Sequence, residues 1–281
     1  MLPANDCGQH TCGIMNYEQR HKDVALKVRS RSFLIVAAVG TIAGVVLSFD
    51  TTKLKSVPIA TMQDQFIIHS ADPSDIRYVA VGDSYSIGTG TTPEKAWPSV
   101  ITKDLRAKGI KLALVANLGV NGWTTDDALT REMPAYQKAA PQFATLMIGV
   151  NDTYRGTTPD EFRAKFVLLA DRMRKALPTD GRIVAVTIPD FTVTHAGKAY
   201  SSRNNAKQKI GLFNTIIKDE SGKRGIPVVD VFTLSKRMEN DPTLVAEDGL
   251  HPSAKGYALW GKQIEPVVYS LLKKATTNLG S

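Results

Sequence analysis

Cysteine is almost absent from this 281-residue chain, and what there is sits at one end, Cys7 and Cys12. No disulfide can therefore form within the residues that follow. The cluster Cys7-x-x-His10-x-Cys12 falls short of the four ligands a structural zinc site needs, so no metal is expected. Histidine is scarce too: beyond residue 32 there are only His69, His195 and His251. No Gly-x-Gly-x-x-Gly opens a helix, and Gly82-x₅-Gly88-Thr lacks the lysine and the spacing of a phosphate loop. No nucleotide or other cofactor is expected on that ground. The chain also lacks a block of like charge. Its formal net charge is +8; residues 1–32 hold five Lys/Arg and three acids, so +6 is spread over the remainder. Diffuse charge of this kind reads as a basic soluble surface and not as a nucleic-acid footprint. There is no internal repeat and no low-complexity tract. The apolar share of 43% and charged share of 22% are those of a globular protein long enough for one sizeable domain and an appendage.

One long uncharged run is present, Phe33 to Phe49, seventeen residues. As a helix it would span about 26 Å, slightly less than a bilayer core of about 30 Å. Five Lys/Arg lie in residues 18–32 against two, Lys53 and Lys55, in residues 50–64. That bias holds the N-terminus in the cytoplasm and sends the rest across. The expected organisation is a basic cytoplasmic segment over 1–32, a membrane anchor over 33–49, a linker over 50–75 with Pro58 and Pro73, and a domain over 76–275, outside the cytoplasm. A cleaved signal peptide, with a weak site after Ser48, competes with the anchor.

From residue 76 the pattern alternates. Short β-rich apolar runs, Ile76–Val81, Lys111–Asn117, Phe143–Ile148, Arg182–Ile188 and Val228–Val231, read as strands. Between and after them, Pro93–Lys108, Thr125–Tyr136, Pro159–Leu177, Ser202–Glu220 and Pro252–Leu272 read as helices. Thr92 and Thr158 are the expected caps of the first and third, and Gly109 and Pro178 their stops. Buried strands joined by helical crossovers imply a five-stranded parallel sheet covered on both faces. The fold class is a three-layer α/β/α sandwich, flavodoxin-like, with an additional apolar N-terminal helix. Ligands of such sheets sit beyond the carboxyl ends of the strands.

Four segments fall at those ends. Gly82-Asp83-Ser84 closes the first strand and sets a serine where its side chain and N–H can face the crevice; equally, Gly-Asp-Ser is a common helix entry. Asn117-Leu-Gly-Val-Asn-Gly122 follows strand two, with Gly119 and Gly122 both able to bring backbone close to a ligand. Gly149-Val-Asn151-Asp152 follows strand three and can turn a side-chain amide towards an oxyanion, or form an Asx turn. In Asp248-Gly-Leu-His251-Pro252 the acid can hold the imidazole tautomer that accepts a hydroxyl proton, or the segment can be a capped helix start.

All four blocks in this order, over roughly residues 76–272, resemble the SGNH (GDSL-type) hydrolase family. The resemblance implies a serine esterase: Ser84 as nucleophile, His251 as base, Asp248 as its orienter, and an oxyanion hole of the Ser84 and Gly122 N–H groups with the Asn151 side chain. Of the two glycines, spacing to the Thr pair favours Gly122. The exported or anchored location points to a carboxylic ester with a short acyl group, such as acetyl, on an envelope or extracellular glycan. No broad apolar lid helix of a long-chain lipase is visible. Tyr154, Arg155, His195 and Tyr200 lie in loops beside the crevice. An O-acyltransferase using the same triad is the alternative enzyme, and a flavodoxin-like ligand-binding module the non-enzymatic one.

Overall fold

Five parallel strands build the sheet: β1 (Ile76–Gly82), β2 (Leu112–Asn117), β3 (Phe143–Met147), β4 (Ile183–Val186) and β5 (Val228–Val229), in the spatial order β2-β1-β3-β4-β5. The computed structural model describes residues 66–178 and 182–277, which belong to one unit, Val57–Ser281. The expected apolar helix over 33–49, the basic segment before it and both cysteines lie outside the described residues. Among the described residues, no helix is long and apolar enough to cross a membrane.

Every residue of β3 is buried, as are the last five of β1, so these strands carry aliphatic and small side chains on both faces. Helices cover both faces. On one, the helix Trp97–Ala107 packs against the closing helix, Ala254–Thr277; on the other, Pro159–Lys175 packs against Ala206–Lys223. The connection after β1 leads to β2 on one side. The connection after β2 crosses back over β1 to β3, and the chain then continues to β4 and β5 on the other side. The crevice of such a reversal opens beyond the ends of β1 and β3.

Several expected boundaries move, each for a local reason. The helix placed over Pro93–Lys108 is two pieces, a 3₁₀ turn Pro93–Lys95 and the helix from Trp97. Pro98 is tolerated only in a first turn, where its missing N–H is not needed. Thr92 makes no side-chain cap bond. The helix expected over Thr125–Tyr136 runs on to Lys138 but passes through a π segment, Ala128–Glu132, closed by Met133 N–H donating to the Ala128 carbonyl. Pro134 sits just beyond and has no N–H for the regular ladder; a π turn is how a helix absorbs such an irregularity. The helix expected from Ser202 starts at Ala206, because Asn204 and Asn205 are left-handed, φ 50° and 58°. Asparagine tolerates that region better than most residues. β5 stops at Val229 because the next backbone donors, Val231 and Phe232 N–H, go to Thr187 Oγ1 at 3.0 and 3.3 Å instead of to a strand. The closing helix starts after Ser253, whose hydroxyl accepts from Gly256 N–H at 3.2 Å. The Thr158 cap holds as expected, with Glu161 completing a capping box.

The end of the expected linker belongs to the folded body. His69 N–H donates to the Val115 carbonyl at 2.7 Å, along the outer edge of β2, and Phe66 meets Trp123 edge-on with ring centres 5.8 Å apart.

Candidate active site

β1 ends against β3 with no room for a side chain. A Cβ on Gly82 would lie 2.2 Å from the Met147 carbonyl oxygen and 2.1 Å from Ser86 Oγ. Glycine there lets the strand run flush into the turn. Asp83 follows as N-cap of a short helix, Ser84–Ile87, its Oδ1 accepting from Tyr85 N–H at 3.0 Å. Ser84 is the first helical residue, so its N–H has no intrahelical acceptor. Its side chain lines a cavity of about 120 Å³.

His251 lines the same cavity. Its Nδ1 lies 2.7 Å from Asp248 Oδ2, which leaves Nε2 as the ring's other nitrogen. The Tyr85 ring packs on the imidazole at 4.9 Å and itself stacks on Trp260 at 6.0 Å. Asp248 Oδ1 accepts from the N–H groups of Leu250 and His251, at 2.8 and 2.9 Å. Partial burial pushes the Asp248 carboxyl up, but those N–H groups and the imidazole outweigh it, and the net shift is downwards. Asp248 is thus an anion clamped by its own turn.

Two further blocks reach the cavity. Gly122 lines it; Gly119 instead packs beneath the serine turn, where a Cβ would lie 2.6 Å from the Asp83 carbonyl oxygen. Gly149 stands at the end of β3 with φ +119°, and a Cβ would strike the Phe162 ring at 2.7 Å. That left-handed turn starts the short helix Val150–Tyr154 and brings Asn151 to the cavity. Asn151 Nδ2 donates to the Trp123 carbonyl at 2.7 Å, and its Oδ1 accepts from the Tyr154 hydroxyl. The amide has a second N–H to offer.

Three carboxyls lie buried beneath these turns. Asp83 is fully buried, and burial, aided by the neighbouring charge of Asp152, raises it to about 7 against the pull of Tyr85 N–H. Glu132 comes from the π segment; its Oε2 accepts from Gly82 N–H at 3.0 Å. Burial drives it well above the carboxylate range, with the Asp83 charge adding to the effect and the Gly82 N–H opposing it. Asp152 accepts from Thr125 N–H and Oγ1, at 2.9 and 3.2 Å, and is raised by burial against those bonds. Among the described residues, no cluster of His, Cys, Asp and Glu is suited to a metal.

The four sequence blocks therefore meet: Ser84, Gly122, Asn151 and His251 share one cavity, and Asp248 holds His251 from behind. Of the loop residues singled out, Tyr154 and Tyr200 form its walls, with Phe191 and Leu250, while Arg155 stands at the rim and His195 lies near Gly249. Glu132 and the Tyr154–Asn151 bond escape a reading of motifs. The available signal for Glu132 was an acid at the start of Met133-Pro134, on a face otherwise lined by Ala128, Leu129 and Met133.

The profile of the GDSL-like Lipase/Acylhydrolase family matches residues 80–259, more than half of the chain. The chain belongs to that family. Membership places this GDSL-like acylhydrolase among the carboxylic ester hydrolases. An arylesterase of Vibrio mimicus is 24% identical over 187 residues, 66% of this chain and 85% of that protein. A multidomain esterase of Ruminococcus flavefaciens is 27% identical over 129 residues, 45% of this chain but only 15% of that longer protein. The crystal structure of a lipase/acylhydrolase from Enterococcus faecalis superimposes with a TM-score of 0.56 at 22% identity, covering 69% of this chain and 95% of that one. That likeness concerns the fold.

Proposed function

We propose that this acylhydrolase cleaves short-chain carboxylic esters through an acyl-enzyme on Ser84. The observation that carries the reading is the meeting of Ser84 and His251 in one small cavity, with Asp248 bonded to the far nitrogen of the ring. Ser84 Oγ attacks the ester carbonyl while His251 Nε2 takes its proton. The Ser84 and Gly122 N–H groups and the second N–H of Asn151 receive the oxyanion. Collapse expels the alcohol, which takes the proton back from His251. Water, deprotonated by the same imidazole, then releases the acid and restores the serine. Asp248 keeps the proton of the neutral ring on Nδ1 and balances the imidazolium.

Size supports a short acyl group. At about 120 Å³ the cavity is well below the roughly 300–1,000 Å³ of pockets that take drug-sized ligands, and the rings of Tyr154, Phe191 and Tyr200 wall it. Acetyl is the group we assign, on a glycan outside the cytoplasm, with residues 33–49 as the membrane anchor. The charge bias around that run supports the orientation. The test uses the full chain in non-ionic detergent on p-nitrophenyl esters of increasing acyl length, with Ser84→Ala alongside. Activity should be greatest on acetate and vanish with the serine. Fluorophosphonate labelling that survives Ser84→Ala would place the nucleophile elsewhere, and equal rates on long acyl chains would remove the size argument.

A further inference from the structure

The rim of the cavity is basic on one side. Residues 153–159 and 191–207, which supply its Tyr154, Phe191 and Tyr200 walls, contain Arg155, Lys198, Arg203 and Lys207 and not one acid. All four cations are exposed. Two are held against the cavity walls. A Cβ on Gly122 would lie 3.1 Å from an Arg155 guanidinium nitrogen, and Arg155 also sits beside the Tyr154 hydroxyl. The Arg203 guanidinium stacks over the Tyr200 ring at 4.9 Å. The two loops are tied together at this point, because Asn204 Nδ2 donates to the Tyr154 carbonyl at 2.7 Å and the Tyr154 and Tyr200 rings meet at 5.2 Å. Arg155 and Arg203 are the chain neighbours of the bonded pair, so both side chains leave the backbone where the two loops join. Neither has a carboxylate partner among the described residues. Elsewhere on this surface Arg106 pairs with Asp75, Arg163 with Glu220, and Arg224 with Asp171 and Glu220, while Arg172 and Arg237, away from the cavity, also stand without a carboxylate partner among the described residues.

A guanidinium left unpaired beside an aromatic-walled acyl site is suited to a ligand oxyanion that presents two oxygens, since its donors form a fixed fork. We infer that Arg155 and Arg203 bind a carboxylate or phosphate carried by the ester substrate, so that the site selects anionic esters over neutral ones of the same size. The inference rests on the esterase reading for its substrate but not for its anion site. Arg155 lies next to the Gly122 turn, on the side of the cavity where the oxyanion would form, and Arg203 lies beyond the Tyr200 wall. The anion therefore belongs to the part of the substrate that projects past the reacting carbonyl.

The test compares para-acetoxybenzoate, its neutral methyl ester and para-acetoxyphenyl phosphate as substrates of the full-length protein. The quantity read is the ratio of kcat/KM on each anionic ester to that on the neutral one. In Arg155→Gln/Arg203→Gln that ratio should fall roughly 10–100-fold, the range of one or two charge-assisted hydrogen bonds, and the loss should appear in KM. Arg155→Lys should restore part of it. The native preference should weaken as salt is raised from about 0.02 to about 0.5 M, because the rim is exposed. The larger of the two native ratios names the carboxylate or the phosphate. A ratio unmoved by the double substitution overturns the inference, as does an equal fall on charged and neutral esters. If no ester is turned over in a Ser84-dependent way, it is the esterase reading that fails. Calorimetry of the Ser84→Ala protein then judges the rim by itself: equal affinity for para-acetoxybenzoate and its methyl ester would overturn it.

Discussion

At the scale of single residues, the site is a set of groups each fixed by a second. Asn151 is fixed at both ends, by the Trp123 carbonyl and the Tyr154 hydroxyl. Asn151→Ala removes the proposed oxyanion donor and should lower kcat by roughly 10²–10³-fold with the fold intact; a folded variant with native turnover would take Asn151 out of the mechanism. Asp248→Asn is a sharper probe. The amide oxygen can keep the turn bonds from Leu250 and His251 N–H, while an NH₂ would face Nδ1 in place of Oδ2. The imidazole must then carry its proton on Nε2, where it cannot accept one from Ser84. Turnover should fall by about 10⁴-fold while the melting temperature stays near native. These residues were legible in the sequence because each stands in a short block with a fixed turn. Tyr154 was visible only as a loop tyrosine, since nothing in the order of residues tells that its hydroxyl reaches Asn151. Glu132 left only its place on the Ala128, Leu129 and Met133 face as a signal, because an acid in an amphipathic helix is by default placed on the solvent face.

At the scale of elements, the sequence announced all five strands and the longer helices, since apolar runs and alternation depend on local spacing, but not the short site helices Ser84–Ile87 and Val150–Tyr154. Boundaries were less legible. Pro98 and Pro134 were each readable as constraints on helix phase, one forcing a later start and the other a π turn. The left-handed pair Asn204–Asn205 depends on a bond to Tyr154 fifty positions away and could not be read locally. The joint of β3 and the Asn151 helix is the least forgiving element. Gly149→Ala would impose a side chain at φ +119° against the Phe162 ring. We expect a loss of roughly 2–4 kcal/mol in chemical denaturation, with activity falling as Asn151 shifts. A variant with native stability would show that Phe162 can yield.

At the scale of the whole molecule, the buried carboxyls tie stability to pH. Asp83 is raised to about 7 and Glu132 well above its ordinary range, both chiefly by burial. Their neutral forms suit the folded state. Their contribution is complete below the unfolded carboxyl range near pH 4 and is lost as pH rises through 7 and beyond. The melting temperature should therefore fall as pH rises from about 4 through about 7, by roughly 3–10 °C. Glu132→Gln, an uncharged isostere able to accept from Gly82 N–H, should flatten that fall. A melting curve equally steep in the variant would place the titrating group elsewhere.

The strip of chain ahead of Ile76 has a use at this scale too. β2 lies at one border of the sheet, and His69 N–H already occupies part of its open row of acceptors. A protein trimmed to begin at Ile76 would leave that row bare beside an uncovered Trp123. Unpaired borders of this kind recruit strands from other molecules, so the shortened chain should self-associate, with light scattering rising with concentration. A chain begun at Phe66 should stay dispersed.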